Sequence, residues 1–556
     1  MSREGQTDPM RAIGGLRWID RRERRWFAAL LITALVTGAL WLTLGSPALG
    51  IDDADIARVY GRNVAAGHGP VYTPGFERVE GYSSPAWMLA WAAAYRLPGQ
   101  PVAWMAGLSM LLCSACVAVL LNVVAGLTRG RAAWMLAIFV LATVPGFFAW
   151  NTLTLMDLSL WSALIALFVG IQARRLLGAK PAGMGWDLAL VLALLAWARP
   201  EGLALSPAFW LLSFAAASTS GDTRQALRCH LAPLAAVVLS LAGLIGARLL
   251  IFQQLLPNTY YAKVSGDWLY NLSQGLEYSI DFLRSPWMAV FGPLSLALLL
   301  FALTPPGRRR NGEGGAALFA TICAAIALIG LGLPLVEGGD HFGAHRLLQP
   351  FLLPAAIPAI YLLEQLRLRL PGKEREELWP PAFVSGLVVL ASMAFAWAEF
   401  SMTSDLRREF AVAHHGRQLG RALNAATDPG QRPRVGVITA GGIALNYEGR
   451  VVDLMGLNWT DMAHSEGSRY GLKSHAAFHR DVFWTEAPDL VVPCLLTDAP
   501  RPDQLPVNDF GASVLRGLLD TPRFQDEYKL CALPCPAGFV FAYARRDWSI
   551  PAMAQR

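Results

Sequence analysis

Charge is scarce in this sequence. Asp, Glu, Lys and Arg make up 16% of its 556 residues, where a soluble domain carries about 25%, and that excludes a disordered chain or a nucleic-acid-binding protein. Nucleotide signatures are absent too: there is no Walker loop, and no G-x-G-x-x-G follows a strand-like run. No internal repeat at solenoid or transporter spacing is visible, and no low-complexity tract beyond the basic N-terminus, which weakens an inverted-repeat transporter. Cysteines number only seven. Cys113, Cys116 and Cys323 lie in apolar runs and read as core fillers; Cys494, Cys531 and Cys535 lie in the polar tail, where one disulfide would leave one thiol over.

What the chain has in abundance is apolar length: 54% AVILMFWYC and a mean hydropathy of +0.38. A spanning helix needs about 20 apolar residues, and eleven runs qualify as candidates: 26–44, 102–127, 132–148, 158–173, 186–198, 202–218, 231–253, 286–303, 315–335, 347–366 and 380–401, the fifth of them short. Arg17, Arg21, Arg22, Arg24 and Arg25 precede the first, and the positive-inside rule holds that end in the cytoplasm. No A-x-A site follows this run, so it reads as a retained helix and not a signal peptide. Alternate loops then carry Arg129 and Arg131; Arg174, Arg175 and Lys180; Arg224 and Arg228; Arg308 to Arg310; and Arg367, Arg369, Lys373 and Arg375. The intervening loops are poorer in Arg and Lys. Residues 402–556 hold 17 basic and 17 acidic side chains, so the net charge of +6 resides wholly in residues 1–401. The reading is a polytopic α-helical membrane protein with a cytoplasmic basic tail (1–25), a transmembrane domain (26–401) that includes an external loop at 45–101, and an extracytoplasmic α/β domain (402–556). β-rich runs at 434–439, 451–454, 490–492 and 538–543 support that last domain.

Polar motifs gather at the outer ends of the spans. The first external loop begins Ile51-Asp52-Asp53-Ala-Asp55 and closes Glu77-Arg78-Val-Glu80-Gly-Tyr82-Ser-Ser-Pro85, before an apolar segment at 86–97 too short to span and read as interfacial. Asp52 suits the N-cap of a helix from Asp53 to Ala66, but a cap needs one carboxylate. Adjacent acids raise one another's pKa, a state that serves a general base or a metal ligand. Further motifs are Asn151 to Asp157, Arg199-Pro-Glu201-Gly202, Leu256-Pro-Asn258-Thr259-Tyr260-Tyr261-Ala-Lys263, and Glu337-Gly-Gly-Asp340-His341 followed by Arg346. Arg199 and Glu201 also suit a plain structural ion pair, and Gly338-Gly339 a helix C-cap. Arg248 is the one Lys or Arg placed inside a span, where a charge is costly unless paired or functional; snorkelling to the surface is the alternative.

In this order, the Asp-Asp-Ala loop, V-E-G-Y-S-S-P, R-P-E-G, L-P-N-T-Y-Y-A-K, G-G-D with the following Arg346 and Pro350, and V-D-L-M-G-L-N at 452–458 resemble the GT-C glycosyltransferases over nearly the whole chain. The terminal arabinofuranosyltransferases of the mycobacterial envelope and their bacterial relatives are the most similar group. Where those relatives often carry Gly-Met-Glu-Thr, this chain has Leu155-Met156-Asp157-Leu158, so the resemblance assigns Asp157 no role. It implies transfer of a sugar from a polyprenyl phosphate to a cell-envelope acceptor at the outer face of the plasma membrane, with a first-loop Asp as general base. The residues themselves offer Asp52 or Asp53 for that proton, and Arg248, Lys263, Arg346, Arg199 and His341 as cations for the leaving phosphate. Glu80, Tyr82, Glu201, Asn258, Tyr260 and Asp340 are candidates for substrate contact. No cofactor is required; a divalent Mg, Mn or Ca on Asp52, Asp53 and Asp340 is the optional addition. The rival readings are a transporter or flippase of lipid-linked sugars, which should carry polar residues at mid-membrane depth on several helices, and a non-catalytic subunit that presents the tail domain. In that tail a hairpin through Leu533-Pro-Cys-Pro536 is expected, with Cys494, Cys531 or Cys535 paired in an oxidising compartment, and Trp459 suits either a sugar ring or the core.

Overall fold

The computed structural model describes residues 22–128, 130–178, 185–220, 223–284, 314–369, 382–466, 475–495, 509–535 and 538–548. Among these, seven helices are long and apolar enough to cross a membrane: Arg22–Thr43, Pro101–Leu127, Leu158–Leu177, Gly202–Thr219, Thr223–Phe252, Gly314–Glu337 and Arg346–Arg369. Trp186–Ala198 is the short fifth run and stays one helix. Ala382–Thr403 covers the last run; the run at 286–303 lies outside the described residues.

The third expected span needs correcting. It is two helices, Ala133–Thr143 and Pro145–Thr152, bent by 58°. Proline has no N–H to donate and its ring clashes with the preceding turn, so Pro145 ends one helix and starts the next at N1. The bend turns Pro145–Thr152 inward, where all eight of its residues are buried. The segment expected to lie in the interface is the helix Pro85–Arg96; Ser84 caps it by accepting from the Trp87 N–H at 3.1 Å. Trp87 and Trp91 are buried in the same core as Trp150 and Trp161.

The tail carries a five-stranded sheet in the order β2-β1-β3-β5-β4, with β1 Val435–Val437, β2 Val451–Asp453, β3 Leu490–Val492, β4 Tyr528–Cys535 and β5 Gly538–Arg545. The first three are parallel, and a hairpin joins them antiparallel as expected, except that β4 runs on through Leu533, Pro534 and Cys535, where the turn was placed, in register Leu533↔Val540 and Cys535↔Gly538. Cys531 carries a free thiol, its sulfur 3.3 Å from the Ala542 carbonyl. Trp459 is 5% exposed in the core beneath the sheet with Met455, Met462 and Phe478, which makes it a packing residue and not a sugar platform.

Tail and membrane bundle share a core. Ile56, Val59, Tyr60, Tyr82 and Met88 of the first loop pack in one cluster with Leu419, Ile443, Val437 and Val540 of the tail. The helix Leu406–Ala426 lies between them, and its Arg417 bonds Asp55 at 2.5 Å and the Gly50 carbonyl at 2.8 Å.

Candidate active site

The loops that alternation assigns to one face do converge. Residues from the first loop, from 153–157, 199–201, 253–267 and 338–346, and from the tail loop after β2 meet at one end of the bundle, around a small pocket lined by Asp53, Tyr82, Trp87, Asp157, Arg199, Thr259, Lys263, Arg346 and Leu457.

The first-loop helix is Asp52–Ala65, so Asp52 is not its N-cap. That position is Ile51, whose side chain makes no cap, and three acids occupy the first turn, where the helix dipole favours them. The two adjacent aspartates point to different partners. Asp52 turns to the tail and accepts the Gly441 and Gly442 N–H groups at 2.9 and 2.7 Å, at the start of the helix Gly441–Asn446. Only glycine permits this approach: a Cβ on Gly441 would sit 1.8 Å from the Asp52 carbonyl oxygen. Asp53 turns into the pocket, with one oxygen 3.5 Å from Lys263 Nζ and 3.9 Å from an Arg346 Nη.

Their proton affinities separate accordingly. Burial pushes Asp52 up to about 7 against the pull of the two glycine N–H groups. Burial also raises Asp53, but Lys263 and Arg346 outweigh it and hold the carboxyl below its ordinary value. Asp340 is buried as well, and Arg346 and His341 hold it lower still. Glu409, on the tail helix, is raised to about 7 by burial and by the charges of Asp53 and Asp52; nothing in its sequence context marked it.

Arg346 is fixed on several sides. Its Nε donates to Asp340 at 2.7 Å, and its guanidinium lies 4.2 Å from the Phe342 ring centre and 5.7 Å from that of Trp150. Lys263, at the end of the short helix Asn258–Lys263, has three N–H donors and, among the described residues, one carboxylate partner. The two cations flank Asp53 and face the pocket. Arg199 is more fully engaged, by Glu201 at 2.7 Å and Asp157 at 3.1 Å, and its guanidinium is raised because those two acids outweigh its burial. Asp157, left without a role by the sequence motif, therefore lines the pocket as Arg199's partner.

Several expected site residues lie elsewhere. Arg248 is 1% exposed and gives two hydrogen bonds to Glu80, at 2.8 and 3.1 Å. Glu80 offsets its charge there, its Nη1 has no hydrogen-bond partner among the described residues, and neither residue lines the pocket. Asn258 spends its amide on the Gly456 and Leu457 carbonyls of the tail loop, at 2.7 and 3.1 Å. Tyr260 is 43% exposed and packs edge-on to Tyr261. His341 pairs with Asp340 at 3.4 Å and lines a second, larger chamber. The V-D-L-M-G-L-N motif is the loop that closes the pocket: Asp453 accepts the Met455 and Asn458 N–H groups, Asn458 accepts the Tyr60 hydroxyl at 3.0 Å, and Leu457 forms the wall.

The three or more His, Cys, Asp or Glu side chains a divalent metal would need do not converge among the described residues. Asp52 faces N–H donors, and Asp53 and Asp340 face cations.

The fold is similar to that of ArnT from Cupriavidus metallidurans, solved bound to undecaprenyl phosphate: the TM-score is 0.50 at 14% identity, over 94% of this chain and 98% of that one. The similarity extends through both bundle and tail and supports the GT-C type of fold. No protein-family model matches the chain, and no curated protein matches it in sequence.

Proposed function

We propose that this protein is a membrane glycosyltransferase that moves a sugar from a polyprenyl phosphate to a cell-envelope acceptor at the outer face of the plasma membrane. The observation that carries the proposal is one carboxylate, Asp53, held ionised between Lys263 and Arg346 in a pocket closed by the tail, in a fold like that of a protein solved with undecaprenyl phosphate. In the reaction, an acceptor hydroxyl oxygen attacks the anomeric carbon of the donor. The bond from that carbon to the phosphate oxygen breaks, and the electron pair leaves on the phosphate. Asp53 takes the hydroxyl proton, and Lys263 and Arg346 receive the charge that builds on the leaving phosphate. The sugar is already activated by its phosphate, so no nucleotide site is needed. A pentofuranose such as arabinose is the donor sugar that the sequence resemblance favours.

Transport of the same lipid-linked sugar is supported less well. A buried polar cluster that links three spans is bonded within itself, Gln172, Ser213 and His230 at 2.9 and 3.0 Å, and the charged groups of the pocket gather at one end. Incubating purified protein with labelled polyprenyl-phosphate pentose and hexose donors tests the proposal: release of polyprenyl phosphate with transfer of the label supports it. Movement of intact donor across proteoliposomes without bond cleavage would establish the transporter.

A further inference from the structure

Beyond the Asp340–Arg346 pair lies a second chamber of about 350 Å³, a volume within the range of small-molecule sites, roughly 300–1,000 Å³. Three features mark it as built. Ala344 and His345 both hold the left-handed backbone, with φ of 55° and 49°, a conformation that non-glycine residues keep only where the surroundings enforce it. The turn sets the His345 ring between those of Tyr278 and Phe282, 5.3 Å from each centre. Gln349, another lining residue, is 6% exposed; its amide nitrogen donates to the Ala344 carbonyl, while its buried Oε1 accepts no hydrogen bond among the described residues. A buried acceptor without a donor is costly, and a ligand hydroxyl is the donor it lacks. Gly146 keeps the room open, since a Cβ there would lie 3.0 Å from the Gln349 amide nitrogen and 3.3 Å from the Ala344 Cβ.

The charge of the lining is one-sided. Glu277 and Asp281, one turn apart on the helix Trp268–Arg284, join Glu399 around the chamber, and none of the three has an ion-pair partner among the described residues. Burial lowers the proton affinity of His345, and the His341 ring lies 3.4 Å from Asp340. A phosphate or carboxylate is repelled from such a lining. Hydroxyl groups suit it, because ionised carboxylates only accept hydrogen bonds, and the rings of Phe282, Phe342 and Phe400 offer apolar edges to C–H faces.

We infer that this chamber binds a hydroxyl-rich sugar ring bearing no phosphate or carboxylate, and that it rejects the same ring once phosphorylated. The inference rests on the transferase reading and gives it an acceptor class. The donor's own ring carries a phosphate, so the ring that fits this chamber is the acceptor's. Full-length protein in nanodiscs is photolabelled with diazirine-bearing methyl pentosides and hexosides and with their phosphate esters, and the labelled peptides are mapped. Uncharged probes are expected to label 268–284 or 338–351, competed by excess unlabelled glycoside, with phosphorylated probes at least about tenfold weaker. The double variant Glu277→Lys with Asp281→Lys, at two exposed positions, should abolish or invert that preference. Equal labelling by the phosphorylated probes, no labelling of these segments, or an unchanged ratio in the double variant would overturn the inference. Labelling should persist when polyprenyl-phosphate sugar is added; its loss would put a phosphate-bearing ring in the chamber and overturn the inference. Donor cleavage is followed in the same preparation: cleavage without labelling overturns this site and leaves the transferase, while labelling without cleavage does the reverse.

Discussion

Two neighbouring aspartates with opposite environments make the base assignment testable by pH. A general base acts in its ionised form, so kcat/KM falls as pH drops through its pKa. Asp53 is held below the ordinary carboxylate value by Lys263 and Arg346, so the profile should stay flat from pH 8 down to about 5. With Asp52, at about 7, as the base, the rate would already be falling below neutrality. Arg248 makes the converse case. Arg248→Ala leaves Glu80 buried without its partner, which should cost about 3–5 kcal/mol of stability, and thermal unfolding in detergent should drop while donor affinity of the remaining folded protein holds. Lost affinity at unchanged stability would restore Arg248 to the phosphate site. The sequence marked Arg248 correctly as a charge needing an explanation. Its partner lies 168 residues away, and no local pattern encodes that pairing.

At the scale of elements, hydropathy made the spans legible because lipid imposes length and composition on each helix separately. The exception is the run 132–148, where apolar character continues through Pro145 while the backbone turns. Strands in the tail were legible from β-branched runs and turn residues, but their partners were not. The docking of tail on first loop depends on Gly441 and Gly442 meeting Asp52 and on Arg417 meeting Asp55, contacts that arise only after both elements have folded. Gly441→Ala should therefore separate the tail from the bundle: limited proteolysis should release the tail more readily, and transfer should fall by an order of magnitude or more, about what a displaced reacting group costs. Unchanged proteolysis and activity would show that the docking does not depend on the approach of Gly441 to Asp52.

The whole molecule is a helical bundle whose alternate loops meet at one end under a tail that shares their core. That convergence was legible in outline, since motifs at alternate span ends must share a face, whereas the division of labour among the charged residues was not. Reporter fusions after residues 130, 180 and 310 should read cytoplasm, and fusions after 75, 265 and 420 the opposite side; one inverted loop would break the common face. The most direct test of the proposed chemistry is single-turnover transfer from a synthetic polyprenyl-phosphate sugar by purified Asp53→Asn protein, with donor affinity measured in the same preparation. Asparagine keeps the shape and loses the proton acceptor, so transfer should fall by about 10²–10⁴ while donor affinity is retained or rises, because Lys263 and Arg346 lose a competing carboxylate. Transfer near the wild-type rate would contradict Asp53 as the base.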